Sequence, residues 1–258
     1  GASQPCAETI VTNETNPREK LAQAPAEILQ SLPAMGRVML STRSGGATHE
    51  RMGTVETVAI VGNEARLSGA CHDSRIDLAT VVRIVADRTS KMRERVLPRL
   101  ECQDASGETL FSLIGLDGLE PFDKALEPFG AGEKLEPLQR EAPGSGGPAE
   151  VPEDDLGGRS FAAILASGEV VAIDVERAGL FQHWQGALPE PKPAMGFVNI
   201  MQGDFHLHLK ASALSGWERT ESEGVVSLQA RDGEGKGFGL VLRGPAAAFA
   251  EVPDVSRG

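Results

Sequence analysis

The sequence predicts an α+β protein built as a tandem repeat, with two stacked, mostly antiparallel β-sheets and flanking helices. Three observations carry this: short segments that alternate apolar and polar residues, few helical stretches, and three ordered blocks that recur at one offset.

The first block opens at Gly36-Arg37-Val38-Met39-Leu40 and ends near Met52-Gly53-Thr54-Val55-Glu56. Its counterpart runs from Gly168-Glu169-Val170-Val171-Ala172-Ile173 to Gln185-Gly186-Ala187-Leu188-Pro189-Glu190. The second block sets Arg75-Ile76-Asp77-Leu78 against Phe205-His206-Leu207-His208-Leu209. The third sets Arg99 to Glu108 against Ser227 to Lys236, each a strand running into a hairpin turn, at Asp104-Ala105-Ser106-Gly107 and at Asp232-Gly233. The first glycine pair gives the offset, 186 minus 53 being 133. Three ordered matches at nearly one offset point to duplication.

Helices are expected at 26–32 and 120–129, the second preceded by Asp117-Gly118 with Pro121 in its first turn. The Pro- and Gly-rich stretch between the copies reads as a linker that does not fold. The organisation is therefore a disordered tail at 1–25, a first repeat at 26–132, a linker at 133–156 and a second repeat at 157–252.

Across 258 residues, 40% are apolar and 24% charged, enough for real cores. The net charge of -12 argues against nucleic acid and anionic membranes, which reward basic patches. No apolar run reaches the ~18 residues of a membrane helix. The absence of a signal pattern and the odd count of three cysteines point to the cytoplasm, with Cys71 and Cys102 as buried thiols.

Phe205-His206-Leu207-His208-Leu209-Lys210 alternates strictly, so a strand there puts His206, His208 and Lys210 on one face. Imidazoles at i and i+2 sit ~6–7 Å apart, which suits a metal site, an axial ligand with a polar neighbour, or a hydrogen-bonded sheet face. His183 could join that face if its strand pairs suitably. In His49-Glu50 and His72-Asp73 the adjacent side chains point to opposite faces, so neither is a dyad by itself. Arg88, Lys91, Arg93 and Arg95 read as a solvated face, and the Gly233 to Gly237 stretch as a hairpin turn.

Gly179-Leu180-Phe181-Gln182, Met195 to Ile200, Phe205 to Leu209, Ala213 to Trp217 and Val225 to Leu228 resemble, in order, the C-terminal repeat of the bacterial hemin-degrading (haem-utilisation) family. The first half resembles that family's N-terminal repeat through Gly36 to Met39, Thr42-Arg43, His49-Glu50, Ile76 to Leu78 and Asp104 to Gly107. The resemblance implies haem as cofactor or cargo, and a haem oxygenase or haem importer as partner. With Tyr absent, iron must be held by His, Met or Cys.

The family's iron-ligating His lies on a helix between the repeats, where this linker has none, and Ala79 stands where members place a haem-facing Arg. The resemblance instead points to His208 as iron ligand with His206 beside it. Arg43 stands where single-repeat cousins have a second site His, and Arg243 is the cation near the family's propionate-holding strand. Three functions follow: haem trafficking, storage or iron utilisation without catalysis; a diverged module that binds another small ligand; and enzymatic haem degradation.

Overall fold

The computed structural model describes residues 16–139 and 150–257. In the first half, β1 (Arg18–Lys20) leads to α1 (Pro25–Leu29) and a 3-10 turn (Leu32–Met35). The hairpin β2 (Arg37–Ser44) and β3 (Ala47–Thr54) follows, then β4 (Thr57–Val61), β5 (Glu64–Ser68) and β6 (Asp73–Asp77). Next come β7 (Arg83–Asp87), the small hairpin β8 (Lys91–Met92) and β9 (Arg95–Val96), β10 (Arg99–Gln103), β11 (Thr109–Gly115), α2 (Leu119–Leu126) and β12 (Glu133–Lys134). The second half starts with α3 (Leu156–Ser167), β13 (Val170–Arg177), β14 (Leu180–Ala187), β15 (Lys192–Ala194), β16 (Phe197–Met201) and β17 (Phe205–Lys210). It ends with β18 (Gly216–Ser222), β19 (Val225–Arg231), β20 (Gly237–Gly244), α4 (Ala246–Phe249) and β21 (Val255–Arg257).

The two large sheets are α+β in class and nearly all antiparallel, as predicted, but each mixes both halves of the chain. A ten-stranded sheet runs β12-β1-β7-β10-β11-β2-β3-β17-β16-β15, and a nine-stranded sheet runs β21-β18-β19-β20-β13-β14-β6-β5-β4. Each repeat lends its middle three strands to the other's sheet, so the repeats pack within one chain. The chain leaves β3 at Gly53, whose φ is +152° and where a Cβ would lie 2.4 Å from that of Cys71. That conformation and close approach need glycine, and Gly186 stands at the equivalent end of β14.

Two apolar cores lie between the sheets, each sealed by helices. One packs Ile28, Leu29 and Phe122 against Leu40, Leu100, Leu113, Leu67 and Ile76; the other packs Phe161, Ile164 and Phe249 against Phe205, Leu207, Trp184, Trp217 and Leu228. At the middle, the exchange is held by a reciprocal clasp. His49 Nε2 lies 2.9 Å from Ile173 O, while Gln182 Nε2 donates to Leu40 O at 3.2 Å and lies 3.0 Å from His49 Nδ1. His49 and Gln182 are 133 apart, as are Leu40 and Ile173, so the clasp sits on the internal pseudo-twofold axis. Burial pushes the His49 imidazole down to about 4, although the Ile173 carbonyl favours its protonated form.

Local chemistry explains where the elements depart from their predicted bounds. The first helix ends early because Pro33 supports only a 3-10 turn, and Pro128 does the same after α2. Residues 1–15 of the predicted tail and 140–149 of the predicted linker lie outside the described residues. Of the rest, Arg18–Lys20 forms a strand because the Arg18 guanidinium reaches the buried carboxylates of Asp87 and Glu101, both at 2.6 Å. Glu133–Lys134 pairs beside it. Asp155, at the end of the predicted linker, caps α3: its side chain accepts from Gly158 N at 3.3 Å and from Ser212 N at 2.8 Å. Arg88 is buried between Glu19 and Asp123 instead of lying on a solvated face. Cys102 is fully buried, Cys71 is partly buried, and Cys6 lies outside the described residues.

Candidate functional site

Strand alternation turns one face of each sheet into the core and the other outward. The two outward faces carry equivalent positions. Ser41 pairs with Glu50 across β2 and β3, and Asp174 pairs with His183 across β13 and β14, each residue 133 from its counterpart. An exchanged strand, β17 or β6, then lies beside the hairpin.

On the ten-stranded sheet the exchanged strand brings His206 opposite Glu50 and His208 opposite Thr48. His208 Nε2 is 3.4 Å and His206 Nδ1 is 3.8 Å from Glu50 Oε1; Ser41 Oγ donates to Glu50 Oε2 at 2.6 Å. The two rings are 5.7 Å apart. Burial works against the Glu50 carboxylate, but the neighbouring His206 and His208 rings and the Ser41 hydroxyl outweigh it and hold Glu50 well below the usual range. Behind His208, Nδ1 meets Asn199 Oδ1 at 2.6 Å. The Asn199 amide is oriented in turn by the carbonyls of Lys192, Phe197 and Ala194, at 3.0, 3.3 and 3.4 Å. Arg43 pairs with Thr48, so it shares this face and the row of His208, and it is exposed.

On the nine-stranded sheet, His183 Nδ1 donates to Asp174 Oδ1 at 2.6 Å, and Arg243 reaches Asp174 Oδ2 at 2.6 Å and Glu176 at 2.7 Å. The Asp174 hydrogen bond raises the His183 imidazole above its ordinary value against the effect of burial. Arg75, from exchanged β6, lies 4.5 Å over the Phe181 ring. Three hollows of about 470, 800 and 610 Å3 meet at Arg75 and Phe181; the last is also lined by His183, Arg243, Val170, Ala172 and Val225.

The structure therefore gathers His206, His208 and Arg43 on one face and puts Arg243 on the other, beside His183. Sequence reading missed Glu50, Asp174 and Arg75. Glu50 was set aside because its neighbour His49 points to the opposite side, which it does, into the core. The partners of Glu50 come instead from the other half of the chain. Its only trace in sequence was the 133-residue offset, which matches Glu50 to His183.

Duplicated halves, exchanged strands and imidazole clusters on the outer faces define a two-repeat scaffold. Residues 6–123 match the family model described as the haemin-degrading HemS.ChuX domain. The fold is similar to that of ChuS, an E. coli heme oxygenase, at 18% identity and TM-score 0.68, covering 88% of this chain and 83% of that one. It is also similar to holo-PhuS, a heme-binding protein from Pseudomonas aeruginosa, at 19% identity and TM-score 0.69, covering 88% and 81%. No curated protein matches in sequence.

Proposed function

We propose that the protein binds haem on the outer face of the nine-stranded sheet and serves haem trafficking or storage, with His183 as iron ligand. The observation that carries this reading is the His183–Asp174 pair at the edge of the 610 Å3 hollow. With Nδ1–H committed to a carboxylate, the neutral ring keeps its lone pair on Nε2, and the carboxylate makes that nitrogen a stronger donor. Phe181, Val170, Ala172 and Val225 offer apolar surface to a macrocycle. Arg75 offers a cation to a propionate, and among the described residues it forms no ion pair. Arg243 neutralises Asp174 and so acts as a positioning residue. Haem, when bound, supplies the redox-active centre; the chain supplies a ligand, an orientation and a shaped surface.

The HemS.ChuX domain and the likeness to a heme-binding protein and a heme oxygenase support haem as the ligand class. The other face supports a second reading, because His208 and Arg43 share one row there. One hemin titration, followed at the Soret band, separates the two. We expect one equivalent bound, weakened at least about tenfold by His183→Ala and within about twofold of wild type in His208→Ala. The converse pattern moves haem to the ten-stranded sheet. A spectrum of free hemin throughout overturns haem binding. Bile-pigment products under reductant and oxygen, with catalase present, would make the protein an enzyme and not a carrier.

No helix among the described residues is long and apolar enough to cross a membrane.

A further inference from the structure

We infer that Glu50, His206 and His208 form a binding site for a divalent transition-metal ion on the outer face of the ten-stranded sheet, separate from the proposed haem surface. The three residues offer one carboxylate oxygen and two imidazole nitrogens within 4.8 Å of one another. Two imidazoles and a carboxylate on one side of an ion leave its other positions open to water or a small anionic ligand. This donor set suits zinc(II), iron(II), cobalt(II) or nickel(II) and excludes the all-oxygen preference of calcium and magnesium.

A hydrogen-bonded polar patch is the competing account, and the surroundings of His208 decide against it. Three backbone carbonyls hold the Asn199 amide nitrogen, so Oδ1 is the atom turned to His208 Nδ1. Nδ1 must carry the ring proton in order to donate, and a neutral ring then has its lone pair on Nε2. That lone pair faces Glu50 Oε1 at 3.4 Å. Two acceptors at that distance need a proton or a metal ion between them, and His206 Nδ1 stands 3.8 Å from the same oxygen. A proton can bridge one imidazole to the carboxylate; one metal ion can satisfy both imidazoles and the carboxylate together. Asn199 has the place that outer partners of metal-bound histidines usually take, fixing the tautomer and the ring plane.

The arrangement also depends on the strand exchange. Glu50 comes from β3 of the first repeat, while both histidines come from β17 of the second. The equivalent positions of the other sheet hold His183 on β14, with Asp73 on β6 as a nearby acid. Among the described residues, then, only one of the two faces has two imidazoles converging on one carboxylate.

Calorimetric titration of the purified, metal-stripped full chain with zinc(II), together with cobalt(II) absorption, tests the inference. We expect one saturable equivalent, weakened at least about tenfold by Glu50→Gln and by His208→Ala, with His183→Ala unchanged. Circular dichroism and thermal melting of each variant check that it folds. The absence of saturable binding overturns the inference. So does binding that survives both Glu50→Gln and His208→Ala, or a His208→Ala chain that loses hemin but keeps cobalt. A chain that fails to bind hemin yet keeps this metal site overturns the proposed haem function alone.

Discussion

The outer faces of the two sheets occupy the same backbone positions and carry opposite chemistry. On the ten-stranded sheet the carboxylate stands on the home hairpin, at Glu50, and the imidazoles arrive on the exchanged strand. On the nine-stranded sheet the imidazole stands on the home hairpin, at His183, with its carboxylate next to it at Asp174. Pairing register fixes where Cβ atoms stand but not which groups they bear. Duplication has therefore left two similar frames free to acquire separate ligands, and fold and activity must be argued separately.

The edges of the sheets differ most in energy. The ten-stranded sheet is extended by β1 through Arg18, whose side chain is 7% exposed and holds Asp87 and Glu101, at 3% and 6%. The nine-stranded sheet is extended by β21, parallel to β18, with Arg257 exposed. Removing one member of a buried ion cluster strands the others, so Arg18→Ala should cost about 3–5 kcal/mol. Arg257→Ala should stay within about 0.5 kcal/mol. Urea unfolding of both variants checks the contrast, and equal effects would break it.

At the axis, the asymmetry is one of charge. His49 is fully buried with its imidazole pushed down to about 4, whereas its counterpart Gln182 cannot titrate. A depressed histidine binds its proton more readily in the unfolded chain. Its contribution is intact above the unfolded value of 6.5 and is lost as pH falls from 6.5 toward 4, on the order of 3 kcal/mol in all. His183 has the opposite sign: its raised value stabilises below 6.5, and that gain fades as pH rises through the folded value. Making the axis symmetric with His49→Gln should flatten the acid slope while keeping the clasp. Denaturation of wild type and variant at several pH values between 4 and 7 gives the difference, and parallel curves would remove His49 as the source.

These asymmetries also mark how far the sequence could be read. The sequence marks alternating segments where β2, β3, β14 and β17 form, and alternation correctly puts His206 and His208 on one face and His49 on the face opposite to Glu50, since a period of two is a local property. Alternation does not say which sheet a strand joins; the exchange of β4–β6 is set by contacts distant in sequence. The paired site residues shared that fate. His206 and His208 were visible as a pair, but Glu50 became their partner only through the exchange. Arg243 was visible as a cation, but not its ties to Asp174 and Glu176. The helix α3 was missed because Asp155 and Gly157-Gly158 resemble linker chemistry, while its stability comes from burying Phe161 and Ile164.

That helix supplies the smallest test of the comparison. α3 opens the second repeat as one continuous helix capped by Asp155, whereas the corresponding stretch of the first repeat is split at Pro33 and starts after Ala24, which has no side-chain cap. Asp155→Ala should cost about 1–2 kcal/mol, the upper end because the same carboxylate also accepts from Ser212 N. Ala24 is exposed and has extended backbone, φ -61° and ψ 142°, as an N-cap residue does. Ala24→Asp should therefore supply the missing acceptor and stabilise by about 0.5–1 kcal/mol. Melting temperatures that move in opposite directions for the two substitutions would show that capping is what separates the entry helices. A neutral Ala24→Asp would show instead that the helix split at Pro33 limits the first repeat.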